Sequence, residues 1–138
     1  MKTGRTIICW LFILSLSCVK LSGEFAFKTD FDDVFRKPFR MPEFDADKKT
    51  EWVYSFSNNF ERRSIHVTIS KREITWIEIT AYEDYAGNEK TTVGGIIEGY
   101  EPGQYRIMLI DPSSNNTIID NIVFIVYSEN DPEDDERY

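Results

Sequence analysis

Only one side chain could serve a histidine-dependent catalytic site, namely His66. A nucleophilic site of the serine–histidine or cysteine–histidine kind would have to use it. His66 lies between Ile65 and Val67 in an alternating apolar segment, so we expect it to point away from the core. Cys9 and Cys18 both lie in the N-terminal apolar segment, so no cluster of histidine and cysteine is available for zinc. These features favour a protein without catalytic function or cofactor.

Carboxylates are abundant, but their spacing marks no strong metal site. Segments 30–33 and 45–47 have the spacing of oxygen ligands but lack the glycine turn of a calcium loop. Segment 83–89 combines acids with Gly87 and Asn88 and is the better candidate for weak calcium binding. The same composition is typical of a β-hairpin loop, which we expect there.

The N-terminal segment has the organisation of a secretory signal peptide. Lys2 and Arg5 precede an apolar run from residue 6 to residue 19, and small residues follow up to Gly23. The run is too short and too polar at its flanks to span a bilayer. We therefore expect residues 1–23 to be removed and the remainder of the chain to be exported.

Cys18 lies where the apolar run ends, a position that resembles a bacterial lipobox of the lax, spirochaete-like form. The resemblance implies that Cys18 becomes the lipidated N-terminus of a membrane-anchored protein. Ser15 stands where a lipobox has a large aliphatic residue, and Leu14 lies one position earlier. The alternative is ordinary cleavage after Gly23, which would remove Cys18. In both cases the folded part contains no disulfide.

The chain is acidic, with a formal net charge of −8, and the predicted signal peptide removes three cations but no acid. An acidic surface disfavours nucleic acids and anionic lipid headgroups as partners. The only membrane contact that we expect is therefore the lipid anchor at Cys18. Residues 128–138 contain six carboxylates and one cation, which indicates a disordered acidic tail.

Residues 51–127 alternate between apolar and polar side chains in a way that is typical of short β-strands. The predicted strands are 51–57, 64–70, 73–83, 90–98, 104–110 and 117–127. Asparagine, glycine, proline and aspartate residues that form turns separate them. Short strands at this spacing predict an all-β, antiparallel sandwich of about six or seven strands.

Residues 24–50 contain six phenylalanines among charged residues and two prolines. We expect an alternating strand over 24–28 and a short helix over 30–37, capped by Asp30. The prolines then prevent regular structure up to Met41. The segment is predicted to be an arm or tether that docks on the domain through its phenylalanines.

The third predicted strand, 73–83, is apolar on both faces. A tight hairpin that pairs Ile69 with Ile74 would turn Trp76 inward and leave the following isoleucines outward. A slip of one residue would exchange the two faces. We therefore expect the opposing sheet to cover one face and the arm to cover the other.

Trp76 lies on this third strand, and Tyr105 follows the turn Pro102-Gly103 at the start of a later strand. These residues resemble the core tryptophan and the tyrosine corner of immunoglobulin-like domains, and the turn resembles that of bacterial modules in this class. Ile107 stands where antibody domains have a bridging cysteine. The resemblance covers residues 50–127 and implies a fold without a particular ligand.

The best candidate for a binding site is a set of aromatic side chains at strand ends and in loops with one outward cation: Tyr82, Tyr85, Tyr100 and Arg106. Exposed tyrosines on rigid loops provide contact area at a small entropic cost. The sequence therefore predicts a non-catalytic, exported bacterial cell-envelope protein, either lipid-anchored, periplasmic or secreted, that acts as a binding or adhesion module for a protein partner. The alternative is a structural subunit of an envelope or periplasmic assembly that docks through the arm or a sheet edge.

Overall fold

The computed structural model describes residues 20–129; most of the predicted signal peptide, with Cys18, and residues 130–138 of the predicted tail lie outside the described residues. The described chain contains eight strands and one 3₁₀ turn (Pro112–Ser114): β1 (Gly23–Thr29), β2 (Glu43–Asp45), β3 (Thr50–Phe56), β4 (Arg63–Arg72), β5 (Trp76–Ala86), β6 (Thr92–Ile97), β7 (Gly103–Asp111) and β8 (Thr117–Tyr127). The predicted all-β class is confirmed. Within residues 20–129, no helix is long and apolar enough to cross a bilayer.

The strands form two sheets, one of three strands in the order β1-β3-β6 and one of five strands in the order β2-β8-β7-β4-β5. Neighbouring strands are antiparallel except β2, which is parallel to β8. Residues 24–50 therefore contribute one strand to each sheet and raise the number of strands to eight. The segment that was predicted to be a separate arm is part of both layers.

The inward faces of the two sheets share one apolar core, because buried side chains alternate along the strands. The largest contributors are Trp52 and Tyr54 of β3, Ile65, Val67 and Ile69 of β4, Tyr105, Ile107 and Leu109 of β7, and Phe124 of β8. The ring centres of Phe27 on β1 and Phe44 on β2 lie 5.0 Å apart, so an aromatic contact connects the two sheets directly. The architecture is sandwich-like, with the core between two layers.

The hairpin between β4 and β5 is wider than the sequence predicted. Arg72 pairs with Trp76, and three residues, including Ile74, form the turn. Ile69 pairs with Thr80, so the predicted pairing of Ile69 with Ile74 is wrong. The difference arises because the apolar alternation of β5 permits several registers, and contacts with neighbouring strands select one of them.

The core tryptophan is Trp52, which is 1% exposed, and the prediction that Trp76 occupies the core is wrong. Trp76 is half-buried on the outer side of the five-stranded sheet. The guanidinium groups of Arg72 and Arg106 lie 5.7 Å and 4.5 Å from its ring centre. The wider hairpin explains this position, because Trp76 pairs with the outward Arg72 and not with an inward residue of β4.

Tyr105 has the geometry that the sequence predicted for it. Its ring is buried, and its hydroxyl donates a 2.6 Å hydrogen bond to the backbone carbonyl of Glu101. A tyrosine near the start of a late strand that bonds to the backbone a few residues upstream is the arrangement of a tyrosine corner. The bond holds the turn before β7 against the core.

The short helix predicted over residues 30–37 is not formed. The chain turns after β1, where the Asp32 amide donates to the Thr29 carbonyl at 3.0 Å. Arg36 and Phe27 then exchange two backbone hydrogen bonds of 2.9 Å and 2.8 Å, so the segment returns alongside β1. These bonds satisfy backbone groups that a helix would have paired internally, and Pro38 cannot donate one.

Only half of the predicted docking through phenylalanines is observed. Phe25, Phe27 and Phe44 are buried, because they lie on β1 and β2 and alternate inward. Phe31, Phe35 and Phe39 are exposed. The segment that carries them joins β1 to β2, whereas β5 lies at the opposite edge of the five-stranded sheet. The predicted covering of β5 by this segment is therefore wrong.

Candidate functional site

The four residues predicted to form one binding patch lie on two faces of the five-stranded sheet. Tyr82 pairs with the buried Val67 and points toward the core, where its hydroxyl donates a 3.0 Å hydrogen bond to the Gly94 carbonyl. Burial, with smaller contributions from Asp84 and Tyr100, raises the pKa of Tyr82 to about 12. Tyr100 is half-buried, and burial raises its pKa as well. These two tyrosines therefore pack against the edge of the apolar core.

Tyr85 and Arg106 lie on the outer face but far apart. Tyr85 pairs with Ser64 and Arg106 pairs with Ser70, so the two positions are about 20 Å apart along β4 at the usual rise of a strand. Arg106 is half-buried against Trp76, whereas Tyr85 is exposed beside Arg62. Tyr85 is therefore the only one of the four predicted residues that is freely available to a partner.

The strand that carries Tyr85 has an open edge. Among the described strands, β5 forms ladder pairs only with β4, and it is the end of the five-stranded sheet. Residues 77–81 are all exposed, including Ile77 at 51% and Ile79 at 46%. An edge strand presents unpaired N–H and C=O groups, so β5 offers backbone hydrogen bonds together with apolar side chains.

The charges on β5 are all negative. Its eleven residues include Glu78, Glu83 and Asp84 and no cation. The Asp84 carboxylate forms an ion pair with the Lys90 ammonium at 2.6 Å. The side chains of Glu78 and Glu83 are exposed to solvent. Cationic side chains on a partner strand would therefore favour its pairing with this edge.

The β5 edge is also irregular. The pairing with β4 shifts between Ile69 and Ser70, which leaves Ile79 as the extra residue of a β-bulge. A bulge bends its strand and increases the local twist. The open edge is therefore curved, which restricts the shapes that can pair with it.

A second exposed surface is formed by residues 30–42, which we call the aromatic loop. Its large exposed side chains are Phe31, Val34, Phe35, Phe39 and Met41, of which Phe31 is 81% exposed and Phe39 is fully exposed. Beneath the loop lies an open cavity of about 520 Å³ whose lining includes Phe27, Phe44 and Tyr127. The sequence predicted that these phenylalanines would dock on the domain, because the residues after β1 carry no alternation that would separate inward from outward positions.

The structure also places the single histidine and the segment that was the better candidate for calcium. His66 is half-buried on the outer face, opposite Glu83 and Ile110. In segment 83–89 the chain closes a turn in which Gly87 and Lys90 form a β-bridge, as expected for a hairpin loop. In the part of the chain that the structure describes, no group of three or more histidine, cysteine, aspartate or glutamate side chains could hold a metal ion.

No protein-family model matches the chain, and no curated protein matches it. The function must therefore be inferred from the geometry of the described residues, of which the β5 edge and the aromatic loop are the two exposed features without an evident role in the core.

Proposed function

We propose that the chain is a non-catalytic binding module, exported to the bacterial cell envelope, that contacts a protein partner through the open edge of β5. The observation that carries the proposal is the run of five exposed residues, 77–81, on a strand that pairs on one side only. The Tyr105–Glu101 hydrogen bond supports an immunoglobulin-like assignment for the two-sheet fold. That fold supplies a rigid sheet and implies no ligand by itself.

Strand addition is the binding mode that an open edge supports best. An extended segment of the partner would continue the five-stranded sheet, with affinity from backbone hydrogen bonds and specificity from alternate side chains. Ile77 and Ile79 would supply apolar contact area near the start of the strand, and Tyr85 would supply a separate aromatic contact on the outer face near its end. This contact includes Tyr85, which the sequence predicted as a binding residue. It adds Ile77 and Ile79, which were expected to be covered.

The chemistry of the partner segment follows from the charges of β5. Glu78 and Glu83 favour a segment in which lysine or arginine alternates with apolar residues. Pairing with the same strand of a second copy would bring together two strands that have carboxylates and no cations. The proposal is therefore a heterologous partner with a cationic extended segment.

A synthetic peptide of alternating lysine and valine provides a direct probe of this edge. We expect saturable binding to the full chain, with slower hydrogen exchange at β5 amides and little change in the three-stranded sheet. A peptide with glutamate in place of lysine should bind at least about tenfold more weakly, because it meets the β5 carboxylates. The proposal would be refuted by equal binding of the two peptides or by an absence of protection at β5.

Ile77→Lys and Ile79→Lys test the location, and Ile118→Lys is the matched control. Ile118 is 53% exposed, close to the exposure of the two β5 residues, but it lies on β8. The β5 variants should lose peptide binding by repulsion and lost apolar contact, and the control should retain it. A similar loss in all three variants would indicate adsorption without a specific site.

Export and anchoring form the second part of the proposal. The Cys18 position resembles a lipobox, so we propose a lipid-anchored form, with a secreted or periplasmic form cleaved after Gly23 as the alternative. Metabolic palmitate labelling that is lost in Cys18→Ser would establish the anchor. Mass spectrometry of the mature N-terminus would identify the cleavage position.

An alternative assignment as a structural subunit of an envelope assembly would predict that the edge-strand partner is another subunit of that assembly.

A further inference from the structure

The aromatic loop concentrates exposed apolar side chains in one short segment of the chain. Five large apolar side chains are exposed within residues 30–42, of which Phe31 and Phe39 are the most exposed. Monomeric soluble proteins rarely expose contiguous apolar patches, and those that do commonly use them for binding. The exposed side chains of the aromatic loop therefore indicate a binding surface.

These side chains are exposed although hydrogen bonds hold the backbone of the aromatic loop to the rest of the fold. At the start of the loop, the Thr29 hydroxyl donates a 2.8 Å hydrogen bond to the Asp32 carboxylate. In the middle, Arg36 is bonded to the backbone of β1. At the end, the Ile125 amide donates a 2.9 Å hydrogen bond to the Pro42 carbonyl. The backbone is held at three points while the side chains between them face outward.

The aromatic loop has Asp30, Asp32 and Asp33 in its first part and its three cations in its second part, so its formal charge is balanced while its cations lie together. Residues 34–42 contain Arg36, Lys37 and Arg40 and no carboxylate, although the chain as a whole has a net charge of −8. Arg36 and Lys37 pair with carboxylates outside this stretch, at 3.3 Å to Asp32 and 2.5 Å to Glu24. These pairs are exposed and therefore weak, so the cations can exchange partners.

Further cations lie against the exposed rings. The ammonium group of Lys28 lies 5.9 Å from the ring centre of Phe35, and that of Lys48 lies 5.5 Å from the ring centre of Phe31. Aromatic rings flanked by lysine and arginine are typical of surfaces at a membrane–water interface, where the ring enters the headgroup region and the cation stays at the phosphates. An apolar protein groove would not favour such a fringe of cations.

We infer that the aromatic loop is a contact surface for anionic lipid, in which Phe31, Phe35 and Phe39 enter the boundary between headgroups and acyl chains. Arg40 and the neighbouring cations contact the lipid phosphates. The inference does not depend on the binding role of β5, because the loop joins β1 to β2 and β5 lies at the other edge of the five-stranded sheet. It differs from the expectation drawn from net charge, because the three cations of residues 34–42 lie among the exposed phenylalanines and would meet a bilayer first.

Depth-sensitive fluorescence tests the inference on the full chain. Phe39→Trp places an indole on the loop, and Ile74→Trp is the matched control, because Ile74 is 99% exposed in the turn before β5. With vesicles of phosphatidylcholine and phosphatidylglycerol, the Phe39→Trp emission should shift to shorter wavelength and be quenched by lipids brominated on the acyl chain. The leader and any acyl group at Cys18 are common to both variants, so they do not produce a difference. Equal responses of the two indoles, or no response of either, would overturn the inference.

Two further variants separate the apolar and the electrostatic contributions. Phe39→Ser should weaken vesicle binding about tenfold, because one phenylalanine no longer leaves water. Arg40→Gln should weaken binding about fivefold with the anionic vesicles and have little effect with pure phosphatidylcholine. Both side chains are exposed, so an unchanged circular-dichroism spectrum should confirm the fold. If both variants bind the anionic vesicles as well as the parent chain does, the loop is not a lipid contact and a protein groove becomes the better occupant.

Discussion

The hydroxyl of Tyr82 donates a 3.0 Å hydrogen bond to the backbone carbonyl of Gly94, and this bond connects an edge strand of one sheet to an edge strand of the other. Tyr82 lies on β5 and Gly94 lies on β6. On the opposite side of the structure, the chain itself connects the edge strands β1 and β2 through the aromatic loop. Residues 87–91 also join β5 to β6 along the chain, and the Tyr82 bond adds a non-covalent connection between these two edge strands.

Removal of this hydroxyl should weaken the fold without altering the core. Tyr82→Phe should lower the free energy of unfolding by about 0.5–1.5 kcal/mol, because it removes one hydrogen bond and leaves the Gly94 carbonyl without its side-chain donor. Urea unfolding measures the change. Tyr85→Phe is the control, since its exposed hydroxyl should contribute less than about 0.5 kcal/mol. Equal effects of the two variants would show that the bond does not connect the sheets in solution.

The two glycines of β6 should respond differently to a methyl group. A Cβ at Gly95 would lie 2.5 Å from the Tyr82 hydroxyl and 2.9 Å from Trp52 Nε1, whereas a Cβ at Gly94 would lie 2.5 Å from the backbone oxygen of Trp52. Each alanine variant should be destabilised by about 1–3 kcal/mol. In the Tyr82→Phe background the cost of Gly95→Ala should decrease, because the clashing hydroxyl is absent.

Gly94→Ala provides the contrast in that experiment. Its clash is with the backbone oxygen of Trp52, so removal of the Tyr82 hydroxyl should not relieve its cost. A double-mutant cycle by chemical denaturation measures both couplings. The proposed contact between Gly95 and Tyr82 would be contradicted by additive costs for Gly95→Ala and Tyr82→Phe.

The two tryptophans of the described chain should differ strongly in their contribution to stability. Trp52→Ala should lower the free energy of unfolding by about 3–5 kcal/mol, because a large buried ring leaves a cavity. Trp76→Ala should cost about 1 kcal/mol, since it loses mainly the contacts with Arg72 and Arg106 on the outer face. If thermal or urea unfolding showed the reverse order, the register of the β4–β5 hairpin would be wrong.

Stability should decrease in alkaline solution. Burial raises the pKa of Tyr82 to about 12 from the ordinary value of 10.0, and burial together with nearby Asp120 raises that of Tyr54. Because the folded-state pKa lies above the unfolded value, the stabilisation is fully present below pH 10.0 and is lost as the pH rises through the folded-state pKa. Urea midpoints measured across this range should fall with pH. The decline should be shallower in Tyr82→Phe, and an identical profile in the two proteins would argue against a buried Tyr82 hydroxyl.

The prediction of secondary structure was best where alternation is strong. The strand segments of 51–127 correspond to β3 through β8, and the alternation of Phe25 and Phe27 correctly predicted a strand at β1. The prediction of a helix over 30–37 was wrong. The apolar residues there have helical spacing, but in the structure their side chains are exposed on a turn and not packed on one face. A local pattern does not distinguish a buried apolar face from an exposed one.

The candidate site was predicted less well. Tyr82 and Tyr85 are three residues apart on one strand, so they lie on opposite faces, and this relation was available from the alternation of strands. That Ile77 and Ile79 would lie on an open edge was not available, because strand order depends on pairing between distant segments. The same reason applies to the exposed phenylalanines of the aromatic loop.

The sequence by itself determined the all-β class and the positions of most strands and turns, because these features depend on side-chain alternation and on turn residues that are close together in the chain. Only the tertiary structure decided which strands form each sheet, which tryptophan is buried and which aromatic side chains remain exposed. Those outcomes depend on register and on contacts between residues far apart in the sequence, where pairings with similar local patterns differ in the apolar surface that they bury.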